Sequence, residues 1–132
     1  MSGPYSRSGR IRPKGSGFEL AVWYLMRLTG LALFVLVLSH YLILHVLFEP
    51  AQQDASWIAD IRWSSTYWRA SDWLMLMLVL FHAVMGMRVV LSDYLGGRAR
   101  FVVLSLLYLL AIVLFAMGTM VVFTLENIVP KA

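Results

Sequence analysis

His82, inside the apolar run Val79–Tyr94 (VLFHAVMGMRVVLSDY), and the pair Asp93-Tyr94 at its end are the residues whose types and spacing point most directly to chemistry. At about 100° per residue the interval from His82 to Asp93 makes roughly three full helical turns, so both side chains share a face about 16 Å apart along the axis. Gly86 lies near that stripe and leaves a gap for a flat ligand or a neighbouring helix. Histidine is costly inside a bilayer and is the commonest biological metal ligand. Three readings of His82 stay open from spacing alone: a haem ligand, a proton relay, or a histidine hydrogen-bonded to an adjacent helix. For Asp93-Tyr94 the alternatives are a plain helix end with an interfacial tyrosine and a quinone site. A neutral phenol can donate to a quinone carbonyl oxygen, and the adjacent carboxylate can fix an arginine or help deliver protons.

Two further histidines and one arginine belong with this set. Measured from Arg27, His40 lies roughly 19 Å along the first helix and His45 roughly 27 Å, which puts His40 within the apolar layer and His45 near its outer edge. His40 reads either as a haem ligand or as an interhelical hydrogen-bond partner. His45 reads as an interfacial side chain reaching water. Arg27 is either a snorkelling anchor or a guanidinium that pairs with haem propionates, which need cationic partners when buried.

Composition sets the class. At 61% hydrophobic residues, a chain of 132 residues is too apolar for a soluble domain, and an all-α membrane protein is expected. With no cysteine there is no disulfide framework and no thiolate-held cluster or zinc within the chain, so any metal falls to histidine. The net charge of +4 does not indicate nucleic acid, because Arg7, Arg10, Arg12 and Lys14 are gathered in a Gly/Ser/Pro-containing segment before the first span. That segment does not read as a cleaved signal peptide, since the apolar stretch after it is too long.

The elements that must position these residues follow in order. Residues 1–17 read as a flexible basic arm, and 18–126 as a three-helix transmembrane domain with helices at about 18–48, 70–92 and 101–125. Each apolar stretch reaches the roughly 20 residues a span requires. Glu49-Pro50 ends the first helix, and 51–69 mixes Trp57, Trp63, Tyr67 and Trp68 with charges, as suits the headgroup layer. Ser71 or Asp72 is available to cap the second helix. The short connection 93–100 forces the third helix back antiparallel; it carries no charge, and Ser105, Gly118 and Thr119 are its expected close-packing points. Residues 127–132 form a short tail. The basic arm with Arg88, Arg98 and Arg100 outweighs the 51–69 loop, so the N-terminus and the Asp93-Tyr94 end are expected on the cytoplasmic side. Three helices make a thin bundle for ionisable groups such as Arg27, His40 and His82, and partner subunits are expected.

The run His82-Ala-Val-Met-Gly86-Met with Asp93-Tyr94 after it, and Met26-Arg27-Leu-Thr-Gly30 in the first helix, resemble a hydrophobic membrane anchor of succinate dehydrogenase, the succinate:quinone oxidoreductase called complex II. The resemblance covers all three spans in order; the His…Gly…Asp-Tyr pattern is its more specific part. It implies a membrane anchor of the cytoplasmic (inner) membrane that has no activity on succinate alone. Its implied partners are a flavoprotein subunit with FAD, an iron–sulfur subunit with its clusters and a second, companion membrane anchor, together with the lipid bilayer. It also implies haem b with His82 as an axial ligand, Arg27 near the propionates, and a quinone hydrogen-bonded by Tyr94 with Asp93 beside it. In two-haem members the first helix supplies a ligand to the second haem, and Ser39-His40 resembles that ligand; whether one haem or two is held stays open. The alternatives are a cytochrome b-type anchor of another respiratory oxidoreductase, which three spans disfavour, and a cofactor-free membrane scaffold.

Overall fold

The computed structural model describes residues 17–128, with side chains through 125. The basic residues Arg7, Arg10, Arg12 and Lys14 and the end of the C-terminal tail lie outside the described residues. Three long helices dominate: α1 Gly17–Leu42, α2 Thr66–Tyr94 and α3 Gly97–Ile128. At 1.5 Å per residue each is roughly 40 Å or longer and overshoots a hydrocarbon core of about 30 Å, so each crosses with a tilt or protrudes. All three are long and apolar enough to span a membrane.

Helix α2 is the middle element and packs against both α1 and α3. The connection from α2 to α3 is brief because Leu95 turns extended and Gly97 takes a positive φ of 55°, a conformation costly for residues with a Cβ. Small and polar residues let α2 and α3 approach. A Cβ on Gly118 would fall within 2.5 Å of the flexible tip of Leu76, and the Trp73 indole donates to Thr119 Oγ1 at 3.1 Å. Ser105 takes no part in this seam; it is exposed and lines an open groove on α3 with Arg100, Phe101 and Tyr108.

The first helix loses α geometry before Glu49-Pro50. A π-type turn occupies Ile43–Leu47, Phe48 is extended, and Pro50–Gln52 forms one 3-10 turn. The stretch expected as a plain interfacial loop contains a further helical turn, Ala55–Trp57, continued by a π-type turn Ile58–Arg62. Asp54 caps it: its carboxylate accepts from Ser56 Oγ at 2.6 Å and from the Trp57 amide at 2.8 Å. These two bonds, the Ser56 hydroxyl foremost, hold the Asp54 carboxyl below the usual carboxylate range. The turn folds inward, burying Ala59 and Arg62.

Helix α2 begins at Thr66, four residues before the expected Ala70, with Ser65 at its N-cap position. Neither Ser71 nor Asp72 caps it. Asp72 is already within the helix, and its carboxylate is claimed by Arg62 and Trp63.

The buried core is small: Val22, Val84, Val122 and Ala59, with Thr29 and Arg62 as its polar members. Large apolar side chains such as Leu31, Phe34, Leu109, Ile112 and Met117 remain exposed along the helices, a surface suited to lipid or to further helices.

Candidate functional site

His82 sits at the α1–α2 contact, and α1 has shaped a place for it. The Thr29 hydroxyl lies 3.0 Å from His82 Nδ1. One turn of α1 also brings Gly30 against the imidazole: a Cβ there would stand 3.3 Å from His82 Cε1, tighter than side chains ordinarily pack. Gly30 rather than Gly86 therefore provides the close approach beside the ring. Gly86 faces Met26, where an added Cβ would make an ordinary 3.5 Å contact. Thr29 is only 5% exposed, so no water competes for its hydroxyl.

The proton inventory at Thr29 fixes the histidine. The hydroxyl has one proton, and its shortest acceptor is the Leu25 carbonyl at 2.7 Å, the usual back-bond of a helical threonine. With that proton committed, Oγ1 accepts, and Nδ1–H of His82 is the donor. Nε2 is then the unprotonated nitrogen, and among the described residues it has no hydrogen-bond partner.

The other expected site residues are spread around this point. Arg27 is exposed, its guanidinium 3.9 Å from the centroid of Trp23 on the same helix. It lies one turn before Gly30 and about 60° around the axis from it. Asp93 and Tyr94 are exposed at the C-terminal end of α2, Tyr94 by 85%, and neither has a hydrogen-bond or ion-pair partner among the described residues. At the same end of the bundle Arg88 reaches back to α1 and donates to both carboxylate oxygens of Glu19. This ties the start of α1 to the last turns of α2.

The family model described as succinate dehydrogenase/fumarate reductase transmembrane subunit matches residues 5–123. The chain belongs to this family. The succinate dehydrogenase hydrophobic membrane anchor subunit of Archaeoglobus fulgidus is 30% identical over 111 residues, 83% of this chain and 93% of that relative. This chain is thus a membrane anchor subunit of the succinate dehydrogenase/fumarate reductase family, and the matched region contains the whole α1–α2 site.

A second polar cluster in this anchor subunit escaped the sequence reading. Arg62 donates from Nη2 to Asp72 Oδ1 at 2.7 Å and from Nε to Asp72 Oδ2 at 3.0 Å, and the Trp63 indole adds a third donor at 2.9 Å. His40 Nδ1 stands 3.3 Å from the same carboxylate and 3.4 Å from Arg62 Nη2. The arginine is 6% exposed and stacks over Trp68. Cavities of about 360 and 410 Å³ flank the cluster, and both are lined by His40 and Arg62. The signal that could have found it was an arginine–tryptophan pair, Arg62-Trp63, about ten residues before an aspartate inside an apolar helix.

His40 thus takes part in a polar contact between α1, the connecting turn and α2, its Nδ1 in reach of the Arg62 guanidinium as donor and close to the Asp72 carboxylate. His45 stacks on Tyr41 with ring centroids 4.6 Å apart and is exposed. Thr29 and His40 lie on one helix roughly 16 Å apart along its axis, so His82, at the level of Thr29, and His40 cannot serve one iron. Nor do three or more His, Asp or Glu side chains converge as a metal-chelating group among the described residues. The donor set fits haem ligation nonetheless. An imidazole with Nδ1 hydrogen-bonded and Nε2 bare is the form that would ligate a haem iron.

Proposed function

We propose that this anchor subunit binds haem b through His82 and forms part of the quinone-reduction site of a succinate:quinone oxidoreductase in the cytoplasmic (inner) membrane. Its partners in that reading are a flavoprotein subunit carrying FAD, an iron–sulfur subunit and a second membrane anchor. The observation that carries the proposal is the imidazole held against Gly30 by Thr29, with Nε2 as its bare nitrogen.

Haem b, when bound, supplies a one-electron redox centre inside the membrane. The chain's own residues do the rest. His82 offers Nε2 to the iron while α1 fixes the plane of its ring. Arg27, exposed one turn away, is the cation available to haem propionates. The Tyr94 phenol donates to a quinone carbonyl oxygen, and Asp93 beside it takes part in proton delivery. Both are exposed on this chain, and the quinone pocket is completed by partner subunits on that side. His40, whose Nδ1 lies near both the Asp72 carboxylate and the Arg62 guanidinium, is the candidate ligand of a second haem.

The test is the dithionite-reduced minus oxidised visible spectrum of the detergent-purified complex for wild type, His82→Ala and His40→Ala, with haem quantified per complex. Loss of a b-type α-band in His82→Ala establishes the ligand. Loss of about half the band in each variant establishes two haems. An unchanged band in His82→Ala rejects the assignment. A colourless wild-type complex supports the second reading, a cofactor-free anchor in which the Thr29–His82 bond only joins two helices.

A further inference from the structure

The structure assigns Thr29 as the positioning residue that selects the tautomer and ring plane of His82 and, by accepting from Nδ1–H, raises the electron donation of Nε2 to the iron. The inference deepens the haem-binding reading of His82 and rests on it.

Three observations converge. The Thr29 proton is spent on the Leu25 carbonyl at 2.7 Å, which leaves Oγ1 an acceptor 3.0 Å from Nδ1. The hydroxyl is buried, so neither water nor lipid headgroups can replace it. Gly30 sets the third constraint: its missing Cβ lets Cε1 approach α1, so the imidazole is held by a hydrogen bond and a contact on adjacent atoms. Stability does not explain the arrangement well. A single interhelical hydrogen bond within a membrane contributes little, a small part of what packs α1 on α2. Orientation does explain it, because a metal-bound histidine needs its second nitrogen hydrogen-bonded to fix tautomer and basicity. In water-excluded surroundings an imidazole without that acceptor would place its proton on either nitrogen, and half of the available forms would present N–H to the iron.

An acceptor on Nδ1–H makes the ligand more basic and favours the oxidised iron, so losing it shifts the midpoint potential upward. The experiment compares the intact complex carrying wild-type chain, Thr29→Val, Thr29→Ser and His82→Ala. Haem midpoint potential is read by redox titration of the α-band, haem retention by competition with apomyoglobin, and the His82 tautomer by ¹⁵N-histidine NMR of the dithionite-reduced complex. Thr29→Val keeps the volume and deletes the hydroxyl; it is expected to raise the potential and weaken haem retention by about 10–100-fold, the usual effect of losing the hydrogen-bond partner of a ligating histidine. Thr29→Ser is expected to return both toward wild type. Should Thr29→Val not assemble, Thr29→Ala makes the same comparison. An unchanged potential in the hydroxyl-free variant, or an equal shift in Thr29→Ser, overturns the inference. Failure of the haem reading shows separately, as an undiminished α-band in His82→Ala. In that event the ¹⁵N signal lost in His82→Ala decides: Nδ1 protonated in wild type and not in Thr29→Val sustains the positioning role, and an identical pattern in both removes it.

Discussion

Arg62 and Asp72 show what a buried charge demands of its surroundings. The guanidinium spends two donors on one carboxylate, stacks its face on Trp68, and leaves the carboxylate a third bond from Trp63. Such pairs add little net stability when intact, but removing one partner strands the other, at a cost of about 3–5 kcal/mol. Asp72→Ala is therefore expected to lower the thermal stability of the purified complex strongly, and Arg62→Met with Asp72→Leu to recover much of that loss. A double variant as unstable as the single one would show that the pair, not the stranded charge, sustains the fold. At this scale the sequence reveals residue types but not pairings. His82 stands out because ionisable groups are rare in apolar helices, whereas Thr29 does not, since a helical threonine carries no such signal. Their contact joins positions 53 apart in the chain and depends on the vertical register of two helices, which hydropathy leaves free.

Helix faces decide which glycines matter. Gly30 and Gly118 both lie at helix contacts, but the neighbour at Gly118 is the tip of Leu76, which can turn aside, and the neighbour at Gly30 is an imidazole held in place by Thr29. Gly118→Ala is expected to leave haem content and spectrum unchanged. Gly30→Ala should displace the His82 ring by a few tenths of an ångström and Gly30→Val by more, with a graded loss of haem per complex; equal haem content in all three would contradict the tight seat. The connection between α1 and α2 carries a pH dependence of its own. Asp54 has a depressed folded pKa, so its capping contribution is complete above the ordinary carboxylate pKa and is lost as pH falls through the lower, folded value. Trp57 fluorescence in a variant lacking the other tryptophans should change in that acid window, and Asp54→Asn should flatten the change. The three spans are legible from apolar length, which the bilayer fixes. Helix ends are less so: a serine and an aspartate near the start of α2 have the chemistry of caps, but the better partner for Asp72 is Arg62, and the helix starts a turn earlier.

For the whole molecule the deciding question is direction across the membrane, and pairing changes the charge argument. Arg88 counts as a cytoplasmic cation in the sequence, yet it is bound to Glu19 on α1. Arg62, in the opposite loop, is likewise neutralised by Asp72. Setting both ion pairs aside leaves Arg98 and Arg100 beside the α2–α3 turn and the four cations of the N-terminal arm. Against them the 49–69 connection holds one further arginine, Arg69, which donates to the Trp63 carbonyl. Lys and Arg near span ends set topology, so the excess predicts the N-terminus and the Asp93-Tyr94 end on the cytoplasmic side. The chain has no cysteine, so single introduced thiols report this directly. Gln52 is exposed in the α1–α2 connection, and Gly96 is exposed at the α2–α3 turn with nothing within 4 Å of an added Cβ. A membrane-impermeant maleimide should label Gln52→Cys in spheroplasts and not Gly96→Cys, which should react only after inversion of the vesicles or, where a partner subunit covers it, after detergent. Labelling of Gly96→Cys from outside would reverse the orientation and move the proposed quinone site, with its proton uptake, to the other face of the membrane.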